Sequence, residues 1–244
     1  MLRAPARPAV AAGLLVLVLA VTSCSDESQD GDTLEHARDY ASQDGAAIAE
    51  DARAAMAALT TVHVSGSIRQ GENTIALDLS ASRSGRCVGT IGIDDGSIEL
   101  RSVGGRAWYR ADDAFWRLEL GAKAARISRA VRGRWVVLSG QLAALRSFCR
   151  IGSLVGQTLS GKATIRSTGA AMDGATPTAL LSVARSGVTS TAYVRAAEPH
   201  HLLKVIRGTP AHNTGELDFS DFDARFQVAA PGRRDVFRPR PATK

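Results

Sequence analysis

Over much of the chain, apolar and polar residues alternate with period two. Ile75, Leu77 and Leu79 alternate with Ala76, Asp78 and Ser80; Ile98 and Leu100 alternate with Ser97, Glu99 and Arg101; Trp116, Leu118 and Leu120 alternate with Arg117 and Glu119. Turn-forming stretches lie between them: Gln70-Gly71-Glu72-Asn73, Asp94-Asp95-Gly96-Ser97 and Gly104-Gly105. Short alternating segments joined in this way predict an antiparallel meander with one buried face, not a parallel α/β sheet. A second set of strands is predicted over Lys162–Ser167, Thr178–Arg185, Val188–Arg195, His201–Arg207 and Gly215–Phe222. Helical spacing occurs twice. Ile48, Ala52, Ala55, Met56 and Leu59 fall three and four residues apart, with Glu50, Asp51 and Arg53 off the stripe, and predict a helix from Ala46 to Thr60. A second helical block is predicted from Ala122 to Cys149, interrupted near Gly133 and Gly140, with Ala143, Ala144, Leu145 and Phe148 as its apolar contribution. The order helix, meander, helical insert, meander predicts an α+β chain whose large antiparallel sheet curls around one or two helices.

The N-terminus carries a different pattern. Arg3 and Arg7 precede an unbroken apolar run from Ala9 to Val21. A run of roughly 13 residues is short for a membrane-spanning helix, which needs about 20, and suits an export signal. Val21-Thr22-Ser23-Cys24 resembles a bacterial lipobox. That resemblance implies cleavage between Ser23 and Cys24, diacylglycerol on the Cys24 sulfur, and further acylation of palmitate type. The competing reading is an ordinary cleaved signal followed by a coincidental cysteine. Two or three acyl chains hold a domain at a bilayer where a single chain is marginal. The expected location is therefore the extracytoplasmic face of a bacterial cell membrane, with the membrane itself as partner. Asp26, Glu27, Asp30, Asp32, Glu35, Asp39 and Asp44 then predict a flexible acidic tether over residues 24–45.

Composition narrows the classes. In 244 residues, 45% are hydrophobic, enough to bury a core and exclude wholesale disorder. Three cysteines are too few for a disulfide-dense miniprotein or a four-cysteine zinc site. With Cys24 acylated, Cys87 and Cys149 remain in an oxidising space, where one disulfide is the economical outcome. It closes a loop of roughly 60 residues and contributes on the order of 3–4 kcal/mol. The alternative, a reactive Cys149, needs a nearby base that Ser147-Phe148-Cys149-Arg150 does not supply.

The formal net charge is +6, and between Leu120 and Met172 there is no Asp or Glu at all. Lys123, Arg126 and Arg129 stand at helical three-residue steps opposite Ala124, Ile127 and Val131. Such a basic amphipathic segment suits an anionic membrane or the entrance for a lipid headgroup. The other reading is an arginine-rich solvated face. Nucleic acid is not an expected partner for an anchored protein outside the cell.

Motifs for chemistry are sparse. Gly156-Gln157-Thr158-Leu159-Ser160-Gly161-Lys162-Ala163 fails as a P-loop because Ala163 stands where the magnesium-binding hydroxyl belongs. His200 and His201 point to opposite faces if extended, and no cysteine or carboxylate cluster completes a metal site with His212. Asp218, Asp221 and Asp223 are interleaved with Phe219 and Phe222 as in a strand, without the glycine of a calcium loop. There is no Gly-x-Ser-x-Gly elbow. The reading is of a protein without catalytic residues, metal or cofactor. Trp108, Tyr109, Phe115 and Trp116 cluster near one predicted hairpin, as a ligand rim or as core.

After the first helix, Val62-His63-Val64-Ser65-Gly66, Arg86-Cys87-Val88-Gly89-Thr90, Val103-Gly104-Gly105-Arg106-Ala107-Trp108-Tyr109 and Asp113-Ala114-Phe115-Trp116 resemble exported actinobacterial lipoproteins of the LprG/LppX type, related in fold to LolA-type carriers. Leu217-Asp218-Phe219-Ser220-Asp221-Phe222, leading toward Pro231, adds to the resemblance. It spans residues 46–231 and leaves 232–244 as a disordered basic tail. It implies a half-barrel sheet wrapped over helices with an apolar cavity between them, in which some members carry acylated lipids or glycolipids, and no enzymatic activity. Ile75, Leu77, Leu79, Ile98, Leu100, Trp116 and Leu118 are the expected wall of such a cavity, and a hydrophobic or lipid ligand the expected cargo. The alternative is a ligand-free interaction or accessory module of the envelope.

Overall fold

The alternating segments pair into one antiparallel sheet of eleven strands, seen in a computed structural model that describes residues 29–70, 72–160, 162–209 and 212–238. The strands are β1 (Thr61–Gln70), β2 (Asn73–Ser82), β3 (Cys87–Ile93), β4 (Gly96–Val103), β5 (Arg106–Ala111), β6 (Val136–Val137), β7 (Thr164–Asp173), β8 (Thr176–Arg185), β9 (Val188–Arg195), β10 (Leu202–Thr209) and β11 (His212–Ser220). The helices are α1 (Gln29–Ala41), α2 (Gly45–Ala58), α3 (Asp113–Leu120), α4 (Ala124–Val131) and α5 (Ile151–Thr158), with a 3-10 segment from Gly140 to Cys149. Spatial order across the open, curved sheet is β6-β5-β4-β3-β2-β1-β11-β10-β9-β8-β7. The meander β1–β6 and the meander β7–β11 are thus sewn together by the antiparallel pairing of β1 with β11, from His63↔Ser220 to Ile68↔Gly215.

Register sorts the side chains. One row across the sheet reads Phe219, Val64, Leu79, Gly89, Leu100 and Tyr109, and faces the helices. Gly89 is required in this row: it adopts φ +154, and a Cβ there would lie 2.1 Å from the Asp78 carbonyl oxygen. The opposite face carries ions, among them Glu99 and Arg110, which are register partners joined by a forked contact, and Lys204 with Asp173 and Asp218. Hydrogen bonding to Asp173 holds the Lys204 ammonium above its usual pKa. This two-sided division is what period-two patterning encodes.

The helices form a layer on the apolar face. Asp44 caps α2 by accepting from the Ala46 N–H at 2.8 Å, and Ile48, Ala49, Ala52 and Met56 form its buried stripe. The Cys87–Cys149 disulfide ties β3 to the end of the 3-10 segment, across a sequence separation of 62 residues.

Three expectations are corrected. First, Gln29–Ala41 is helical where the acidic composition predicts a tether. Ala37, Tyr40 and Ala41 are buried, an i, i+3, i+4 stripe among the acids, and the Tyr40 hydroxyl donates to Asp51 at 3.2 Å while its ring stacks on His200 at 4.3 Å. Burial, with the Asp51 charge behind it, drives the Tyr40 pKa well above the phenol range. Residues 1–23, Cys24 and the rest of the tether up to residue 28 lie outside the described residues.

Second, Trp116 and Leu118 lie on α3, not on a strand. Asp112 nucleates the helix by accepting from the Phe115 N–H at 2.7 Å, so Phe115 and Trp116 turn inward while Leu118, 49% exposed, turns out. Third, the part of the tail that is described, residues 232–238, is docked through Val236 and Phe237, which are half-buried, while its other residues are exposed. Trp135 donates its N–H to the Asp235 carbonyl and accepts from the Phe237 N–H, pairing Trp135 with Val236 beside β6. Arg134 stands 5.1 Å over the Phe237 ring. The tail's aromatic residue and an unpaired sheet edge decide this, against its proline and arginine content. The block predicted as helical from Ala122 to Cys149 also contains β6, and α5 follows where no helix is predicted.

Candidate functional site

Between the helix-facing side of the sheet and the helical layer lies a cavity of about 430 Å³. Its sheet wall comes from both meanders: Ile75 and Leu77 of β2, Val64 of β1, Leu217 and Phe219 of β11, and Val205 of β10. Its other wall is the helical layer, through Phe148 of the 3-10 segment and Leu154 and Thr158 of α5. Gly66 sits in the register position between Leu77 and Leu217, so no side chain stands between these two apolar lining residues. It adopts φ +121, and a Cβ there would meet the Glu216 carbonyl oxygen at 2.3 Å. The bare position and the β1–β11 seam therefore have one origin. Most of the polar lining lies toward the β8–β9 turn, where Arg185, Ser186, Ser190 and Arg207 stand beside Val183 and Val188.

The residues expected from sequence to line a ligand site separate into three groups. Ile75 and Leu77 line the cavity. Leu79, Ile98 and Leu100 share the same face but are sealed within the core. Trp116 belongs to an aromatic cluster, 5.9 Å from both Tyr109 and Phe115 between ring centroids. That cluster is core rather than rim: Phe115 is fully buried, and burial raises the Tyr109 pKa. Leu118 faces solvent. Sequence reasoning missed Phe148, Leu154, Val205, Leu217 and Phe219 as a wall. Alternation in β10 and β11 marks the last three as inward-facing, but nothing local says that the helical layer leaves space over them.

Lys123, Arg126 and Arg129 are exposed along α4 and the turn before it, opposite buried Ala124 and Val131. None of the three lines the apolar cavity. Several other bases of the acid-free stretch serve backbone carbonyls. Arg134 donates to Ala130 and Val131 at the end of α4, and Arg146 donates to Leu138.

A second cavity of about 530 Å³ opens at the other end of the helical layer, lined by Met56, Leu59, Arg83, Arg146, Cys149 and Arg150 among others. Arg83 is committed there to the carbonyls of Ala58 and Leu59 at the end of α2. Its role is to close a helix terminus, which makes this the less suitable of the two spaces for a ligand. Among the described residues no group of three or more His, Cys, Asp or Glu is placed to hold a metal ion, and no helix is long and apolar enough to cross a membrane. His200 is taken up by its stack on Tyr40, and His201 by a 4.2 Å stack on Phe222.

No protein-family model and no curated protein matches this chain. Solved structures to which it is similar include the lipoprotein LppX from Mycobacterium tuberculosis, at 16% identity over 75% of this chain and 97% of that one, with a TM-score of 0.49. LprF from Mycobacterium bovis is similar at 14% identity over 77% of this chain and 96% of that one, with a TM-score of 0.47. A LolA superfamily protein from Nitrosomonas europaea is similar at 11% identity over 76% and 96%, with a TM-score of 0.26. The likeness is one of fold.

Proposed function

We propose that this protein is a lipoprotein anchored through Cys24 at the extracytoplasmic face of a bacterial membrane, and that it binds a hydrophobic or lipid ligand between sheet and helices. The observation that carries the reading is the cavity of about 430 Å³, within the size range of ligand pockets and walled by aliphatic and aromatic side chains from both layers. Moving an acyl chain from water into such walls gains about 0.8 kcal/mol per methylene. The polar groups at the cavity are arginine, serine and threonine, with no histidine, cysteine or carboxylate, a set for recognition rather than proton transfer. The reading therefore assigns binding and no catalysis. The anchor rests on Val21-Thr22-Ser23-Cys24 behind an apolar run. In this reading the exposed Lys123, Arg126 and Arg129 face an anionic bilayer.

Two measurements test it. Full-length protein purified from a lipid-containing host is expected to release lipid on organic extraction, and Leu77→Asp to release far less at equal folded yield. Extracts free of lipid in both would favour the ligand-free accessory module. Labelled palmitate is expected to enter the wild-type chain in cells and not Cys24→Ser; absence of label in the wild type refutes the anchor.

A further inference from the structure

The cavity has a chemical direction. Helix-facing positions along β8 read Ala179, Leu181, Val183 and Arg185, and the first three are buried while Arg185 is exposed. Along β10, Val205 is followed on the same face by Arg207, which is half-buried. Register joins these ends through β9: Arg185 is opposite Val188, and Ser190 is opposite both Val183 and Arg207. At one end of an apolar chamber, two strands thus replace an inward aliphatic residue with a guanidinium, and both arginines line the same space with Ser186 and Ser190 beside them.

Two guanidinium groups at one end of a mostly apolar pocket match one ligand class. Arginine binds carboxylate and phosphate oxygens through planar, charge-assisted hydrogen bonds, and it covers apolar surface with its own methylene stem. We infer that the ligand is an amphiphile with an anionic head. Its chain lies against Leu77, Leu154 and Phe219, and its head sits between Arg185 and Arg207 at the β8–β9 end of the sheet. The inference rests on the binding function proposed above and adds to it the sign and place of the head. Neutral acylglycerols fill the same walls but offer the two guanidinium groups no anion, so the pocket discriminates by head charge and not by chain alone.

The test uses the full chain and two probes with the same acyl chain, palmitate and monopalmitoylglycerol, each titrated calorimetrically below its micelle concentration. Palmitate is expected to bind at least about tenfold more tightly, and Arg185→Gln/Arg207→Gln to weaken palmitate about tenfold while monopalmitoylglycerol changes less than about twofold. Raising salt on the wild type is a second measurement that needs no variant: it should weaken palmitate alone. Equal affinity of the wild type for the two probes, or palmitate binding indifferent to both salt and substitution, overturns the anionic-head inference and leaves the hydrophobic-ligand reading standing. Failure of both probes to bind overturns both.

Discussion

The two halves of the sheet's inner face obey the same alternation and end differently. Over β3, β4 and β5 the space is filled. Ile98 and Leu100 are covered, α3 presses Phe115 so close that a Cβ on Gly96 would lie 2.6 Å from the Phe115 Cα, and Tyr109 and Trp116 complete the packing. Over β2, β1, β11, β10 and β8 a chamber of about 430 Å³ persists. The strands of both halves present aliphatic residues of similar size. What differs is the helical layer above them. α3 supplies two adjacent large aromatics, whereas the chamber is covered only by Phe148 of the 3-10 segment and by Leu154 and Thr158 of α5. Whether a curved sheet holds a core or a cavity is thus decided by the side chains facing it, since close packing needs a partner for every inward group.

The sharpest way to break this contrast is truncation. Phe115→Ala should lower unfolding free energy by about 4 kcal/mol, because it empties a packed site. Leu217→Ala, in the half-open chamber, should cost about 1 kcal/mol, since the lost side chain is only half-buried. Denaturant unfolding of both variants compares them, and similar losses would mean that the chamber wall is packed as tightly as the other half. Next in size is the tie between the layers. Replacing Cys87 and Cys149 together with alanine should cost about 3 kcal/mol in the same assay. A loss below about 1 kcal/mol would show that the helical layer docks without its covalent link.

Filling rather than emptying gives a smaller effect of opposite sign in the two halves. Val205→Phe projects into the chamber and should be neutral or stabilise by up to about 1 kcal/mol while abolishing the proposed ligand binding. Ile98→Phe should destabilise by about 1–3 kcal/mol through overpacking. Equal destabilisation by both would remove the distinction between the halves.

The smallest expected effect concerns pH. Burial, with the Arg195 charge adding to it, lowers the His201 pKa below its ordinary 6.5, and its Nδ1 has no hydrogen-bond partner among the described residues. The unfolded chain therefore binds the proton first. The stabilisation is fully present above about pH 6.5 and is lost as pH falls below it. His201→Gln should flatten that part of the stability profile. Asp223 acts in a lower window. Its carboxylate is held below the usual range by accepting the Thr60 backbone N–H and hydroxyl, so its contribution is lost only as pH falls through the carboxylate range. A slope near neutrality that survives His201→Gln would assign the effect elsewhere.

Much of the fold was legible in the sequence. In the first meander β2 and β4, then the five strands of the second, the helix α2 and the disulfide follow from local signals, namely alternation, a stripe at helical spacing, and two cysteines in an expected oxidising setting, whereas β3, β5 and β6 carry no such signal. The misreadings share one cause. Trp116-Arg117-Leu118-Glu119-Leu120 alternates like a strand, yet the Asp112 cap and the pocket under Phe115 select a helix. Acidic Gln29–Ala41 and the proline-bearing segment around Val236 look unstructured by composition, yet Ala37, Tyr40 and Ala41 of the first are buried, and Val236 and Phe237 of the second are half-buried beside Trp135. In each, a long-range contact outweighs a weak local preference.

The candidate site was legible only by half. Alternation places Ile75 and Leu77 on the inner face, because period two dictates which side of a strand a residue occupies wherever the chain is strand, and the expectation of a cavity there came from the family resemblance. Their neighbours Leu79 and Leu100 obey the same rule and lie in solid core. By itself the sequence determined the sheet, its apolar face and the sign of the charge around it, since these depend on residue type and spacing along one segment. The tertiary structure alone decided where that face stays uncovered and which two arginines meet at its edge, because both depend on side chains from distant segments occupying, or failing to occupy, the same volume.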